Sequence, residues 1–478
     1  MSAADDDKVI RLLRGGGGPP PPSEDDYGAD PDAVPPAFSD EALALRFATQ
    51  HADRLRYVAL WGKWLIWDGV AWRKDETMHS FDLARHICRS AASECNKPKA
   101  ATSIASARTV AAVEKLSKAD RRHAATVAQW DTDPWLLNTP DGIVDLRSGD
   151  LSTHDPKHHM TKSTAITPFG ECPLWMQFLA TITNNNPQLQ AYLQRASGYC
   201  LTGSIREHAL FFAYGTGANG KGTFLNTITG ILGDYAAVSN TETFTAQAGS
   251  RHLTELARLH GARLVVAQET EEGKHLAEAR IKAITGGDPI TANFMRQDHF
   301  TYNPQFKLFI AGNHKPNLRH VDQAIRRRFN LIPFDVQIPR EERDEQLFDK
   351  LSNEWPGILQ WMVDGCRDWL AERLAPPDIV RSATEGYFEE EDTFGQWLSE
   401  CCRISAYSTG EAGALFRSWK AWSTAAGEPP SSQKRFSQAL ASRGFNPKKG
   451  TAGKRLFSGL DLIVPPSHHE VNDEPSGG

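Results

Sequence analysis

Gly215-Thr216-Gly217-Ala218-Asn219-Gly220-Lys221-Gly222-Thr223 decides how this 478-residue chain is read. The continuous apolar run Ala209-Leu210-Phe211-Phe212-Ala213-Tyr214 precedes it, and the helical run Phe224-Leu225-Asn226-Thr227-Ile228 follows. Such an apolar run suits a strand buried on both faces. Strand, glycine loop and helix, in that order, are the context a phosphate-binding P-loop needs. Glycines let backbone N–H groups approach phosphates closely. The helix N-terminus favours negative charge, and Lys221 would reach the β- and γ-phosphates. The standard pattern puts Ser or Thr directly after the lysine to hold Mg²⁺. Here Gly222 takes that slot and Thr223 comes one residue later. Either Thr223 substitutes after a local shift, or water fills the position.

Outward from the loop, Leu264-Val265-Val266-Ala267 and Leu308-Phe309-Ile310-Ala311 are two further apolar runs, with helical segments between. Three buried strands alternating with helices predict a parallel α/β core over roughly 205–340. The second strand ends in Gln268-Glu269. A carboxylate at a strand tip beside a P-loop can hold Mg²⁺ through water and polarise the attacking water. Glu269 is the choice, with Glu271 behind it. The third strand ends in Gly312-Asn313, and Asn313 is placed to sense a γ-phosphate. The triplet Arg326-Arg327-Arg328 follows. It can supply a guanidinium to a neighbouring subunit's phosphate, bind a DNA backbone, or form a solvated face.

The flanks divide by composition. Residues 1–37 carry Gly15 to Gly18, Pro19 to Pro22 and an acidic run, and read as a disordered tail, as do 466–478. Residues 38–130 form an aromatic-rich α+β region. Asp68-Gly69 there marks a hairpin, and residues 78–128 are Ala-rich and helical in pattern. The stripe Tyr57, Trp61, Trp64, Trp67 and Trp72 is read as a small sheet's core, with base stacking as the alternative. Residues 131–204 hold a second hairpin signal at Asp141-Gly142 and then helices. The α/β domain is assigned to 205–375, and Glu389-Glu390-Glu391-Asp392 marks a boundary. The last module, 393–465, reads as three helices and a hairpin around Gly450 to Leu456.

Lys+Arg is 53 against 59 Asp+Glu, for a formal charge of −6, which excludes a globally basic nucleic-acid coat protein. Yet residues 411–465 hold nine basic and three acidic side chains. Lys434, Arg435, Lys448 and Lys449 are the expected phosphate contacts there. The seven cysteines include no CxxC pair, so neither a disulfide framework nor a zinc site is expected. No stretch approaches the roughly 20 apolar residues of a membrane span. The acidic N-terminus lacks a signal peptide's apolar region. A reducing cytoplasm is the expected compartment.

Taken in order, these residues resemble the superfamily 3 helicases. More closely, they resemble the phage and plasmid primase–helicase family that includes the poxvirus primase–helicase. The match extends over about residues 38–465. Asp133-Pro134-Trp135-Leu136-Leu137-Asn138 with Asp141-Gly142 and Asp145-Leu146-Arg147 resembles the domain upstream of the family's ATPase. Leu201-Thr202-Gly203 and Gly233-Asp234-Tyr235-Ala236 fit as well, and Lys282-Ala283-Ile284-Thr285-Gly286-Gly287-Asp288 fits the motif peculiar to the superfamily.

The resemblance implies an AAA+-like P-loop core and a C-terminal winged-helix module. It implies a ring, usually a hexamer, with ATP and Mg²⁺ between subunits. Lys221, Glu269 and Asn313 would act in catalysis, Thr223 and Glu269 on the metal. Arg327, then Arg328, would be the arginine supplied to the neighbour. A hairpin within 293–303 would grip single-stranded DNA through Arg296 and His299, with Lys282 nearby. Relatives commonly carry arginine where this chain has Asn293. With about a hundred residues before the upstream domain and no clear acidic pair, ATPase and helicase activity without primase activity is expected. A separate primase or replication initiator could then be a partner, and forked DNA a substrate. The alternative is an ATP-switched initiator or loader that unwinds little. A small-molecule kinase is disfavoured by the 282–288 motif and the arginine triplet.

Overall fold

The computed structural model of the chain describes residues 34–245, 252–268, 275–293, 299–318, 322–427, 432–450 and 454–463. Most of the tail assigned to 1–37, and all of 466–478, lie outside these residues.

Helix α1 (Asp40–His51) begins where the Ser39 hydroxyl accepts the Ala42 N–H at 3.2 Å. This side-chain oxygen satisfies one of the free donors of the first turn. Strands β1 (Leu55–Val58), β2 (Lys63–Trp67) and β3 (Trp72–Lys74) form an antiparallel meander. The Asp68 carboxylate closes its second turn by accepting the Val70 and Ala71 N–H groups, both at 2.7 Å. Helices α2 (His79–Glu94), α3 (Pro98–Ile104) and α4 (Ala107–Ser117) cover the sheet, and β4 (Ala124–Ala125) joins β1 in parallel. Trp64 and Trp72 are buried in the core, while Tyr57, Trp61 and Trp67 stay half-buried.

A second meander, β5 (Leu136–Thr139), β6 (Gly142–Asp145) and β7 (Leu151–Ser152), turns at Asp141-Gly142 as expected. Helices α5 (Pro173–Ile182) and α6 (Pro187–Leu201) follow. Asn186 caps α6 by accepting the Gln188 and Leu189 N–H groups at 3.0 and 3.1 Å, with Pro187 in the first turn, where its missing N–H costs nothing.

The centre is built from β8 (Leu210–Tyr214), α7 (Lys221–Leu232), β9 (Ala236–Asn240), α8 (His252–Arg258), β10 (Leu264–Gln268) and α9 (Glu278–Gly286). It continues with β11 (Ile290–Ala292), β12 (Phe300–Tyr302), β13 (Lys307–Gly312), α10 (Gln323–Arg326) and β14 (Phe329–Pro333). Five strands form one parallel sheet in the order β14-β8-β13-β10-β9. The three apolar runs of the sequence are its three central strands. Both faces are covered, which is why those runs do not alternate. Phe211 stacks on Phe309 at 5.2 Å on one face, and Phe212 on Phe329 at 5.9 Å on the other. Each such buried ring contributes roughly 1.5–3 kcal/mol of transfer free energy.

The two edge strands were not among the expected ones. β9 is half-exposed, with Val238 at 70 %. β14 carries Asn330 and ends at Pro333, a residue a sheet edge tolerates. The β14 edge is protected by a helix. After α11 (Leu347–Ser352) and α12 (Trp355–Glu372), α13 (Asp378–Glu391) lays Tyr387 and Phe388 over Phe329. Its Thr384 hydroxyl accepts the Leu331 N–H at 3.0 Å. The acidic run Glu389 to Asp392 lies at the end of this packed helix, just before the last module's first helix at Thr393. Helices α6 and α12 meet at Gly198, where an added Cβ would strike the backbone of Gly365 and Cys366.

The last module differs from its reading of three helices and a hairpin. Between α14 (Thr393–Cys401) and α15 (Ala412–Ala425) lies β15 (Cys402–Glu411). It pairs antiparallel with β17 (Arg455–Leu462), which also pairs β16 (Asn446–Lys449) in the expected hairpin after α16 (Gln433–Ser442). β15 shifts register between Ile404 and Thr409. Ile404 and Tyr407 are exposed at 61 % and 97 %, so no alternation announced the strand. No described helix is long and apolar enough to cross a membrane.

Candidate functional site

The glycine loop crosses the C-terminal end of the sheet between β8 and α7. Gly217, Ala218 and Gly220 all have positive φ, at 102°, 52° and 78°. This turns successive backbone amides the same way and brings α7's N-terminus to the loop. Gly215 is required by crowding, since a Cβ there would strike the Asn219 amide and the Phe334 carbonyl. Those two groups hold the loop: Asn219 Nδ2 donates to Phe334 O at 2.9 Å, and the Lys221 N–H donates to Asn219 Oδ1 at 3.4 Å.

Lys221 opens α7 and is 8 % exposed. Its Nζ donates to Gly215 O at 2.9 Å, Gly312 O at 2.7 Å and Asn313 Oδ1 at 3.0 Å. One ammonium therefore joins the loop to the end of β13. Gly222 and Asn313 are exposed and Thr223 is half-buried. An added Cβ at Gly222 meets no atom within 4 Å. Thr216 Oγ1 accepts from Gln337 Nε2 at 3.2 Å. The arrangement offers an anion a cationic, amide-lined cradle. β10 ends at Gln268, in register with Ala311 of β13. Glu269, and Glu271 behind it, lie outside the described residues.

The arginine triplet separates into three environments. Arg326 lies 5.0 Å above the Phe388 ring and 4.0 Å from Asp392. Arg327 is exposed. Arg328 is buried, its Nε donating to Thr285 Oγ1 at 3.1 Å and its Nη1 to Ala324 O at 2.7 Å. Burial, then the neighbouring Arg327 charge, lowers its pKa. Arg328 thus fastens the 282–288 motif to α10, and reaching a neighbour would break both bonds. Arg327, the first choice, has no such constraint.

The expected DNA contacts fall in three places. β11 and β12 do form an antiparallel hairpin, Ile290 facing Tyr302 and Ala292 facing Phe300. His299 is exposed beside β12, and Arg296 lies outside the described residues. Lys282 is paired with the Asp322 carboxylate, the cap of α10, so it carries a structural bond within the chain. Lys434, Arg435, Lys448 and Lys449 are all exposed on α16 and β16.

Sequence reasoning passed over two buried cations at the opposite end of the sheet. Arg263, 2 % exposed, donates through Nη1 to Leu201 O at 2.6 Å and through Nη2 to Leu136 O at 2.6 Å and Asp133 O at 3.2 Å. Lys307, 1 % exposed, donates to Thr202 O and to Ser204 O at 3.3 Å, and lies 4.7 Å from the Tyr199 ring. Each stands at or just before the start of a buried strand, and that position was the only signal. The conspicuous motif Gly233-Asp234-Tyr235 is part of the same joint. Tyr235 OH accepts the Asn138 N–H at 3.2 Å, and Asp234 accepts from Arg73 Nη1 at 2.6 Å.

Among known families, residues 44–184 match the one described as D5 N terminal like, and residues 213–328 match a family of unknown function, DUF5906. "Putative helicase 022R" of Frog virus 3 is 28 % identical over 305 residues, covering 58 % of this chain and 30 % of that protein. "Putative helicase L207/L206" of Acanthamoeba polyphaga mimivirus is 24 % identical over 231 residues, covering 44 % and 24 %. "Putative primase C962R" of African swine fever virus (strain Badajoz 1971 Vero-adapted) is 22 % identical over 311 residues, covering 58 % and 32 %. The chain thus spans between about a quarter and a third of the length of these relatives. An apo structure of the NrS-1 C-terminal region aligns with 88 % of this chain and 100 % of that one, at 10 % identity and a TM-score of 0.49. Fold and site define a mixed α/β protein with a lysine-bearing glycine loop at the end of a parallel sheet. These matches support a likeness to the D5-like primase–helicases, carried by residues 44–184 and by viral relatives named as putative helicases and primases.

Proposed function

We propose that this chain is an ATP-dependent DNA helicase of the superfamily 3 type, acting in DNA replication. Its core is a P-loop ATPase of AAA+ kind, working as a ring of identical subunits, with a winged-helix module at 393–465. The observation that carries the reading is the Lys221 ammonium, bonded at once to Gly215 O of the loop, Gly312 O and Asn313 Oδ1. A phosphate entering the cradle can take over that ammonium, freeing Asn313 to orient the attacking water. The loop amides hold the phosphate chain. Thr223 and Glu269 are the residues to hold Mg²⁺, which supplies neutralisation of phosphate charge when bound. Arg327, exposed and without a fixed partner among the described residues, is suited to a neighbouring subunit's γ-phosphate. The β11–β12 hairpin, with Arg296 and His299, and the basic face of α16 and β16 are the DNA contacts. Relatives named as helicases and primases support the reading.

A second reading keeps ATP as a switch in a DNA-binding initiator that unwinds little. Gly222, in the slot of the usual hydroxyl, favours it. Strand displacement on a forked duplex separates the two. A helicase releases the strand with ATP and Mg²⁺ and fails as Lys221→Ala. Nucleotide-dependent DNA binding with an intact duplex would establish the switch instead.

A further inference from the structure

A cavity of about 690 Å³ opens between the N-terminal aromatic sheet and the start of β12 in the β11–β12 hairpin. Its walls come from β2 and β3, from residues 161–162, from the end of α8 with His260, and from Phe300 of β12. Five cations and two carboxylates line it, an excess of three positive charges. Arg73 and Asp234 satisfy one another at 2.6 Å. Arg258 pairs with Glu255 at 3.8 Å. Lys63 and Lys162 then share the lining with one further acid, Glu76. Lys63 and Lys162 form no ion pair among the described residues. A contact made only to join two parts of a chain would pair its charges, because unpaired like charges in a cleft cost free energy. The crowding is visible in its titration. Burial, then Lys162 and Lys63, lowers the Lys74 pKa. Burial lowers that of His260, with Asp131 opposing and Lys162 and Lys74 adding to the effect. Aromatic faces lie among these cations. His260 stands edge-on to Trp61 at 6.1 Å and to Phe300 at 6.0 Å, and Trp61 is half-buried.

We propose that this cavity binds a short stretch of single-stranded nucleic acid, Lys63, Lys162 and Arg258 holding its phosphates and Trp61 stacking a base. Cations interleaved with aromatic rings are the chemistry that recognises unpaired strands. The inference rests on the helicase reading and deepens it. Phe300 faces Ala292 at the loop end of the hairpin's paired strands, so a strand in the cavity lies against the element proposed to move it. It also gives the D5 N terminal like region a task, that of a second hold on the strand outside the hairpin loop.

The test is fluorescence anisotropy of a labelled oligothymidylate with the full chain, across a salt series. Lys63→Glu combined with Lys162→Glu is expected to raise Kd tenfold or more. The slope of log K against log salt should become shallower by about 1.4, at roughly 0.7 for each phosphate no longer neutralised. A variant that binds as wild type does overturns the cavity and spares the motor. A wild type that binds no oligonucleotide overturns both. Thymidine monophosphate separates the sources: if it binds as tightly as the oligonucleotide, the cavity is a mononucleotide site and the strand assignment fails. Should the double variant melt early, photocrosslinking of a 5-iododeoxyuridine oligonucleotide to wild type decides. Crosslinks to the peptide carrying Trp61 are expected, and crosslinks confined to the hairpin and the C-terminal module refute the proposal.

Discussion

The two ends of the parallel sheet solve the same problem in opposite ways. At each, a buried cation gathers backbone carbonyls. At the C-terminal end Lys221 holds Gly215 O and Gly312 O, beside exposed Gly222 and Asn313 and a loop of positive-φ residues. In the proposed function its partners are exchanged for a phosphate. At the N-terminal end Lys307 and Arg263, 1 % and 2 % exposed, hold carbonyls of Thr202, Ser204, Leu201 and Leu136. They fasten segment 133–204 to the sheet. A buried cation serves chemistry only where the surrounding backbone leaves room to trade partners. Elsewhere it is a joint.

That contrast can be broken by substitution. Lys221→Ala should lower ATP turnover by at least about a hundredfold, the scale of losing one preorganised charge-stabilising donor, with little change in melting temperature. Arg263→Ala should do the reverse. It strips three carbonyls of their donor at once and should cost about 3 kcal/mol or more in urea unfolding, with turnover retained below the transition. Equal loss of turnover in both variants would erase the distinction between the two ends.

Lys307 sharpens the comparison through pH. Burial lowers its pKa from 10.5 to about 7. Between those values the unfolded chain binds more protons than the folded one, so stability rises with pH across that window. The cost of burying the ammonium is full below pH 7 and relieved toward pH 10.5. The unfolding free energy of wild type relative to Lys307→Met should therefore climb from pH 7 to 10, on the order of 1 kcal/mol per pH unit. Parallel curves would mean that Lys307 stays charged in its joint.

The smallest effect is expected at Gly222, where a Cβ meets open space. Gly222→Ser restores the usual hydroxyl and should lower the Mg²⁺ concentration for half-maximal hydrolysis modestly. A higher requirement would show that Thr223 already serves and the new hydroxyl interferes.

What the sequence made legible follows from burial. β8, β10 and β13 are covered on both faces, so they stand out as apolar runs around the glycine loop. β9 and β14 are edges, diluted by exposed Val238 and by Asn330 and Pro333, and escaped notice. β15 escaped for the same reason, with Ile404 and Tyr407 turned to solvent. The glycine loop stood out because its residues are contiguous. Asn313 was singled out only by its place after an apolar strand, since its bond to Lys221 crosses 92 positions. Arg263 and Lys307 were not legible, with partners at least 60 positions away in sequence. The same holds for Arg328, whose bond to Thr285 crosses 43 positions. A triplet of arginines reads alike until packing separates Arg327 from its neighbours.

The most direct measurement is steady-state ATP hydrolysis by the full chain, with and without single-stranded DNA, wild type beside Lys221→Ala. The account predicts turnover that DNA stimulates and that Lys221→Ala abolishes. ATP bound without turnover, whether or not DNA is present, would contradict the motor.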